Sequence, residues 1–272
     1  MWAAAVYTLV AGSVAGCLGA LLGIGGGVFL VPFLNLVIGL PMHGAAGISL
    51  VTVIATSSMT SASLPRLRLV NLRLGMLLEV FTTSGGLLGV FLVNRFDDHT
   101  LRLAFAVVMT VTAAVMVSRL NRRNVRPDGD VEPGLLGGRF YEAESGGYVV
   151  YRLIRAPVAF AVSFVAGVVS MLGIGGGVLK VPALNAWCGV PMRVAAATSS
   201  LMIGATAVVG AVNFFVRGQI VTTLAAAAVL GVLLGARAGL VLSDRSNARV
   251  LKMLMAGVLA AVAAIYFVRA AQ

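Results

Sequence analysis

Two glycine blocks are the part of this sequence whose spacing most directly suggests chemistry. The heptapeptide LGIGGGV spans residues 22–28 and recurs unchanged at 172–178. The same offset of 150 residues, from 22 to 172, also pairs Asn35 with Asn185. Matches this extensive at one common offset indicate an internal duplication. The two halves of the chain are therefore expected to share one fold.

Each block must interrupt a helix, because every glycine costs about 1 kcal/mol relative to alanine in a helix interior. A helix that restarts after the break points unpaired N–H groups and its positive dipole end into the break, an arrangement that binds anions. The predicted anion-binding backbone consists of two matched sets of glycines: Gly25, Gly26, Gly27, Gly175, Gly176 and Gly177. We expect Gly26 and Gly176 to adopt positive φ alike, so that alanine would disturb either. The alternative is that these glycines serve close helix packing, as we expect for Gly12/Gly16 and Gly235/Gly239.

Polar side chains near the blocks extend the candidate substrate site. Ser49, Thr198 and Ser199 lie in the apolar segments that follow the blocks. Their hydroxyls either bind an oxyanion or bond back to their own helix. Asn35 and Asn185 either contact the substrate or form a structural hydrogen bond between the halves.

Two ionisable residues lie inside apolar stretches, where a charge is costly unless it is paired or used. Lys180 follows the second block, at the position where the first half has Leu30. It either attracts the anion or extends its ammonium to the membrane interface. Glu79 either pairs with another charge or relays a proton.

The spacing of the remaining reactive residues is not typical of an enzyme. The two histidines, His43 and His99, lie in different predicted loops, and Cys17 and Cys188 lie singly in apolar stretches. No predicted strand precedes the glycines, which excludes a dinucleotide-binding fingerprint. We therefore predict no enzyme activity, no catalytic residue, no metal and no cofactor.

The composition is that of a membrane protein. Hydrophobic residues make up 60% of the chain and charged residues 11%, with a mean hydropathy of +1.02. A span needs roughly 20 apolar residues, so 272 residues allow about eight to ten segments. The net charge of +11 is divided among the connections between apolar runs, which indicates topology signals and not nucleic-acid binding.

The chain divides into a first transmembrane repeat (1–118), a polar linker (119–155) and a second transmembrane repeat (156–272). Arginines before residue 74 and in the linker predict that both regions are cytoplasmic. The turn at Asp97 and Asp98 is acidic, whereas the matching turn at Arg245 and Arg249 is basic. This reversal predicts inverted repeats in an all-α fold with glycine-broken helical hairpins, although a parallel duplication stays open.

The paired Gly-x-Gly-Gly-Gly-(x4)-Pro motifs, with a following segment that bears Thr198 and Ser199, resemble the sulfite exporter TauE/SafE family of membrane permeases. The resemblance covers the chain except the linker. It implies transport of sulfur-containing anions such as sulfite, thiosulfate or organosulfonates.

We therefore predict a secondary transporter that moves a small sulfur-containing anion across the cytoplasmic membrane by alternating access. The alternatives are an anion channel, a proton-coupled uptake permease for another organic anion, and a membrane-embedded structural or enzymatic protein. The expected partners are the anion and membrane lipid, with no nucleic acid. The sequence leaves the oligomeric state open, a homo-oligomer included.

Overall fold

The structure, a computed structural model, describes residues 2–63, 69–118, 126–127, 132, 134–142, 146–245 and 248–270. Five helices lie in these described ranges of the first half: α1 Trp2–Leu22, α2 Gly27–Pro32, α3 Met42–Ser61, α4 Leu72–Val93 and α5 Asp98–Ser118. The second half repeats the order: α6 Ala156–Val169, α7 Gly177–Trp187, α8 Met192–Val216, α9 Thr222–Arg245 and α10 Ala248–Ala270. Two π-helical turns extend this pattern: Phe33–Val37 continues α2, and Ser170–Ile174 continues α6.

Seven helices of the described chain are long and apolar enough to cross a membrane. Their mean hydropathy ranges from 1.3 to 2.1. The helices that follow the glycine breaks are shorter, since Gly27–Val37 and Gly177–Trp187 cover 11 residues each. At 1.5 Å per residue such a helix is roughly 16 Å long, about half of a bilayer core. The expected eight to ten segments included these two half-length helices, together with the seven full-length ones and α10.

Helix packing relates the two halves by an approximate two-fold symmetry. Helix α1 packs on α9, and the matching pair is α6 on α4. Helices α3 and α8 pack on each other, as do α5 and α10. Small residues allow the closest approaches, because a Cβ added to Gly12 or Gly16 would collide with the backbone of α9, and one added to Gly235 or Gly239 with that of α1. These contacts agree with the interpretation of those four glycines as packing residues.

The central pair, α3 and α8, runs antiparallel. Near the end of α3, Ser57 Oγ donates to the carbonyl of Ser200, close to the start of α8, at 2.7 Å. Near the start of α3, a Cβ on Gly47 would contact Phe214, close to the end of α8. These two matching helices thus point in opposite directions.

The linker forms a small antiparallel sheet that was not predicted. Its strands β1 Arg126–Pro127, β2 Gly138–Glu142 and β3 Gly147–Tyr151 pair in the order β1–β3–β2. Asn71, which caps α4, donates through Nδ2 to the hydroxyl of Tyr151 at 2.9 Å and to the carbonyl of Leu136 at 3.1 Å. Burial in this contact raises the pKa of the Tyr151 hydroxyl. The sheet is therefore docked on the helix bundle.

Hydrogen bonds show which connections between helices lie at each end of the bundle. The linker lies beside the α3–α4 connection through Asn71, and beside the α7–α8 connection, where Ile154 N donates to Cys188 O at 3.1 Å. At the other end, Asp98 accepts from His43 Nδ1 and from the amide of Met42, both at 3.0 Å. The starts of α3 and α5 are thus tied together on the side away from the linker.

Candidate functional site

The two glycine blocks meet inside the bundle. Residues 23–27 and 173–177 are all buried. A Cβ added to Gly27 would collide with the carbonyl of Gly173, and one added to Gly177 would lie 3.0 Å from the carbonyl of Gly23. Each helix restart therefore faces the break of the other half. The sequence predicted both breaks, but not their direct contact.

The two breaks have different backbone conformations. In the first, Gly23, Gly25 and Gly26 have φ of 73°, 86° and 74°. In the second, Gly173 and Gly175 have positive φ, but Gly176 has a right-handed φ of −56°. The expectation of positive φ at both Gly26 and Gly176 is therefore wrong for Gly176. The π-helical turn Ser170–Ile174 changes the path of the chain before this residue.

Backbone donors remain available at both breaks. Apart from bonds within the helices, no described hydrogen bond has the amide of Gly25, Gly26, Gly175 or Gly176 as its donor. An unpaired N–H buried away from water costs about 1–3 kcal/mol, so a ligand that accepts from these groups would be bound favourably. The anion-binding role of these glycines stays a prediction, with their amides as the candidate donors.

The serine that follows each block lies against the opposite break. Ser49 Oγ donates to the carbonyl of Gly173 at 2.6 Å, which ties α3 to the second break. Its two-fold mate Ser199 is fully buried, and its Oγ has no hydrogen-bond partner in the described structure. A Cβ on Gly177 would lie 3.0 Å from this Oγ. Among Ser49, Thr198 and Ser199, the side chain of Ser199 is therefore the one best placed to hydrogen-bond to a ligand at the breaks.

Three other predicted site residues make structural hydrogen bonds. Asn35 Nδ2 donates to Leu40 O at 2.7 Å, and Asn185 Nδ2 donates to Val190 O at 3.0 Å. These bonds lie within each half, and not between the halves as one of the two interpretations required. Thr198 Oγ1 accepts from the amide of Asn71 at 3.1 Å, which anchors the start of α4.

Lys180 is fully buried beside the second break. Its Nζ lies 3.4 Å from Oε2 of Glu79, which therefore pairs with a charge. The other carboxylate oxygen of Glu79 accepts from Thr206 Oγ1, and from Thr83 Oγ1 at 3.3 Å. Lys180 and Glu79 were both singled out in the sequence, but their pairing was not predicted. Thr206 was not predicted, because a threonine in an apolar helix gives no signal of such a contact.

A cavity of about 310 Å³ lies elsewhere, between α3, α8 and α9. Its lining is almost entirely apolar and contains no charged side chain: Val51, Ala211, Val212, Phe215, Ile220, Thr222 and Ala225. Such a lining offers an anion no compensation for lost hydration. The chemistry suited to an anion is at the glycine breaks.

Seven apolar helices of spanning length around a buried, glycine-rich crossing define a multi-pass α-helical membrane protein. The chain belongs to the sulfite exporter TauE/SafE family, whose model matches residues 8–266. The resemblance drawn from the glycine motifs is thereby confirmed, and the protein is a membrane transporter of this family.

Two relatives with curated descriptions support the same class. The chain is 27% identical over 258 residues to the probable membrane transporter protein YunE of Bacillus subtilis (strain 168), with 92% of each chain covered. It is 28% identical over 190 residues to the probable membrane transporter protein MJ0441 of Methanocaldococcus jannaschii. This match covers 62% of this chain and 69% of that protein. No solved structure matches the chain significantly.

The unequal conformations of Gly26 and Gly176 predict unequal effects of alanine. At Gly26, a positive φ and a Cβ 2.8 Å from the carbonyl of Ala15 should cost about 2–4 kcal/mol in Gly26→Ala. At Gly176, φ is ordinary and the nearest atom to the new Cβ is the carbonyl oxygen of Ala166 at 3.3 Å, a tight contact, so Gly176→Ala should cost less stability than Gly26→Ala. Thermal unfolding of the purified variants in detergent measures both effects. Equal loss of stability would contradict the described backbone.

Proposed function

We propose that the protein is a secondary carrier that moves a small sulfur-containing anion, such as sulfite, thiosulfate or an organosulfonate, by alternating access. The observation that carries the proposal is the buried meeting of the two glycine breaks beside Lys180. Sulfonates and sulfur oxyanions present several acceptor oxygens around one charged centre. Unpaired amides and an ammonium are the complementary donors.

Complete burial of the breaks favours a carrier over a channel. Residues 23–27 and 173–177 are enclosed by the surrounding helices, so the site is closed to both sides. A conducting channel needs a continuous path past its selective site. A carrier instead opens such a site to one side at a time, when one half moves against the other.

The direction of the central helices supports inverted repeats. Helices α3 and α8 are equivalent in the duplication and pack antiparallel, through Ser57 with Ser200 and Gly47 with Phe214. If both cross the membrane, the two-fold axis that relates them lies in the membrane plane. That orientation is the one found in many carriers with inverted repeats.

Charges along the sequence orient this bundle in the membrane. The α3–α4 connection and the linker, which lie at the same end, are rich in arginine, including Arg66, Arg73 and Arg122. The opposite end carries the acidic turn with Asp97 and Asp98. By the positive-inside rule the linker is cytoplasmic, and the protein resides in the cytoplasmic membrane. For uncoupled transport, an interior-negative potential drives each negative charge outward by about 2.3 kcal/mol per 100 mV, which favours export.

Binding of sulfur anions to the purified protein tests the proposed function. Thermal stabilisation in detergent should be clear for at least one of sulfite, thiosulfate and methanesulfonate, and weaker for chloride at equal ionic strength. Lys180→Met should abolish this stabilisation while the variant still elutes as a single species, because the ammonium is lost. Leu30→Met, at the matching position of the first half, is the control and should retain binding. Equal responses to all anions, or unchanged binding by Lys180→Met, would contradict the assignment.

Membrane topology can be tested with single cysteines in a variant that lacks Cys17 and Cys188. Asp97→Cys and Ser246→Cys mark matching turns of the two halves, so inverted repeats place them on opposite sides of the membrane. A membrane-impermeant thiol reagent added to intact cells should label Asp97→Cys, and Ser246→Cys only after the cells are opened. Labelling of both from outside would replace the inverted repeat with a parallel one.

A further inference from the structure

The two side chains of the Lys180–Glu79 ion pair make different numbers of hydrogen bonds. The Glu79 carboxylate accepts from Lys180, Thr206 and Thr83. The Lys180 ammonium has three N–H donors, yet within the described structure its hydrogen bond to Glu79, at 3.4 Å, is the one that it makes. The buried cation therefore has donors to spare, whereas the carboxylate keeps two hydroxyl partners without it.

The pair lies at the second glycine break. Lys180 N donates to Gly176 O at 3.1 Å, so the residue belongs to the first turn after the break. A Cβ on Gly176 would lie 3.5 Å from Lys180 Cε and 3.5 Å from Thr82 on α4. An anion held by the amides of this break would be within reach of the ammonium.

The two-fold symmetry does not repeat this pair. The offset of 150 residues matches Lys180 with Leu30 and Glu79 with Val229, both of which are apolar. A purely structural contact in a duplicated scaffold would not need a charge on one side alone. One asymmetric ion pair instead gives the molecule a single charged site.

Few other charges face this pair. Helix α6 and the turn Ser170–Ile174, which pack on α4, contain no ionisable residue, and the one such residue of α7 is Lys180 itself. Helix α5, which packs on α7, has its ionisable residues Asp98, His99 and Arg102 in its first five residues, and α4 has Arg73 in its first turn. Helix α8 contributes Thr206 and has its single charge, Arg193, in its first turn. The local charge is therefore set by Lys180, Glu79 and any bound ion.

From this arrangement we infer that Glu79 couples transport to protons by competing with the substrate anion for Lys180. The inference rests on the proposed function. When the anion binds, the contact between Glu79 Oε2 and Lys180 Nζ breaks, and the ammonium donates to the anion. Two anions beside one ammonium would leave an uncompensated buried charge, which costs several kcal/mol. A proton from the solvent therefore adds to Glu79, and it leaves again when the anion is released.

Charge balance fixes the energetics of this cycle. One proton enters the site with each anion, so a monovalent sulfonate crosses as a neutral unit and a divalent anion carries one net negative charge. Transport of a monovalent anion is then driven by the pH gradient and its own gradient, and not by the membrane potential. This coupling replaces the potential-driven export of an uncoupled carrier.

The test measures anion affinity against pH by titration calorimetry of the detergent-solubilised protein. Methanesulfonate is the probe because it stays ionised throughout. Wild-type affinity should fall about tenfold per pH unit on the alkaline side, with about one proton taken up per anion. Glu79→Gln removes the competitor, so it should bind more tightly than wild type at alkaline pH and without pH dependence, a gain that misfolding cannot produce. The matched control Val229→Gln should behave as wild type.

Weaker binding or retained pH dependence in Glu79→Gln would overturn the coupling role. In proteoliposomes, an acid exterior one pH unit below the interior should drive about tenfold accumulation of methanesulfonate by the wild type, and none by Glu79→Gln. Wild-type flux that is indifferent to the pH gradient would likewise overturn the inference and leave the carrier function intact. Absence of both binding and flux for every sulfur anion would instead overturn the proposed function itself.

Discussion

The architecture depends on where the polar backbone groups of two broken helices find partners inside an apolar bundle. Each unpaired group in a membrane interior costs several kcal/mol, so a break is tolerated only where protein or a wet cavity meets it. Here the breaks meet each other. Glycine at Gly27 and Gly177 is needed because a side chain would separate them from Gly173 and Gly23. Ser49 Oγ donates to one buried carbonyl of the second break, that of Gly173.

The two halves share one arrangement of helices, but the residues at the centre of the bundle differ between them. The helix pairs of the two halves correspond throughout, but the site at their centre does not. Ser49 is satisfied by the second break, whereas Ser199 has no partner within the described residues. Lys180 and Glu79 lie where the other half has the apolar residues Leu30 and Val229. The duplication provides the shared helix arrangement, and its divergence provides one charged site.

The sequence predicted the duplication, the helix breaks and the family, because glycine content and hydropathy act locally and are repeated twice. The length of the segments after the breaks was left open by the sequence, since an apolar run does not reveal that a break leaves only half a crossing, as at Gly27–Val37. The linker sheet was missed, because its short strands are held by the docking of Asn71 on Tyr151. The pairing of Lys180 with Glu79 is a tertiary contact between positions 101 residues apart, so no local sequence pattern could indicate it.

Localisation of a bound anion tests the central claim most directly. Crystals of the protein grown in lipid and soaked with selenite, a heavier analogue of sulfite, allow the anion to be found by anomalous scattering from selenium. We expect an anomalous selenium peak between the two glycine breaks, within hydrogen-bonding distance of Lys180 Nζ. A peak confined to the protein surface, or to the apolar cavity between α3, α8 and α9, would contradict it.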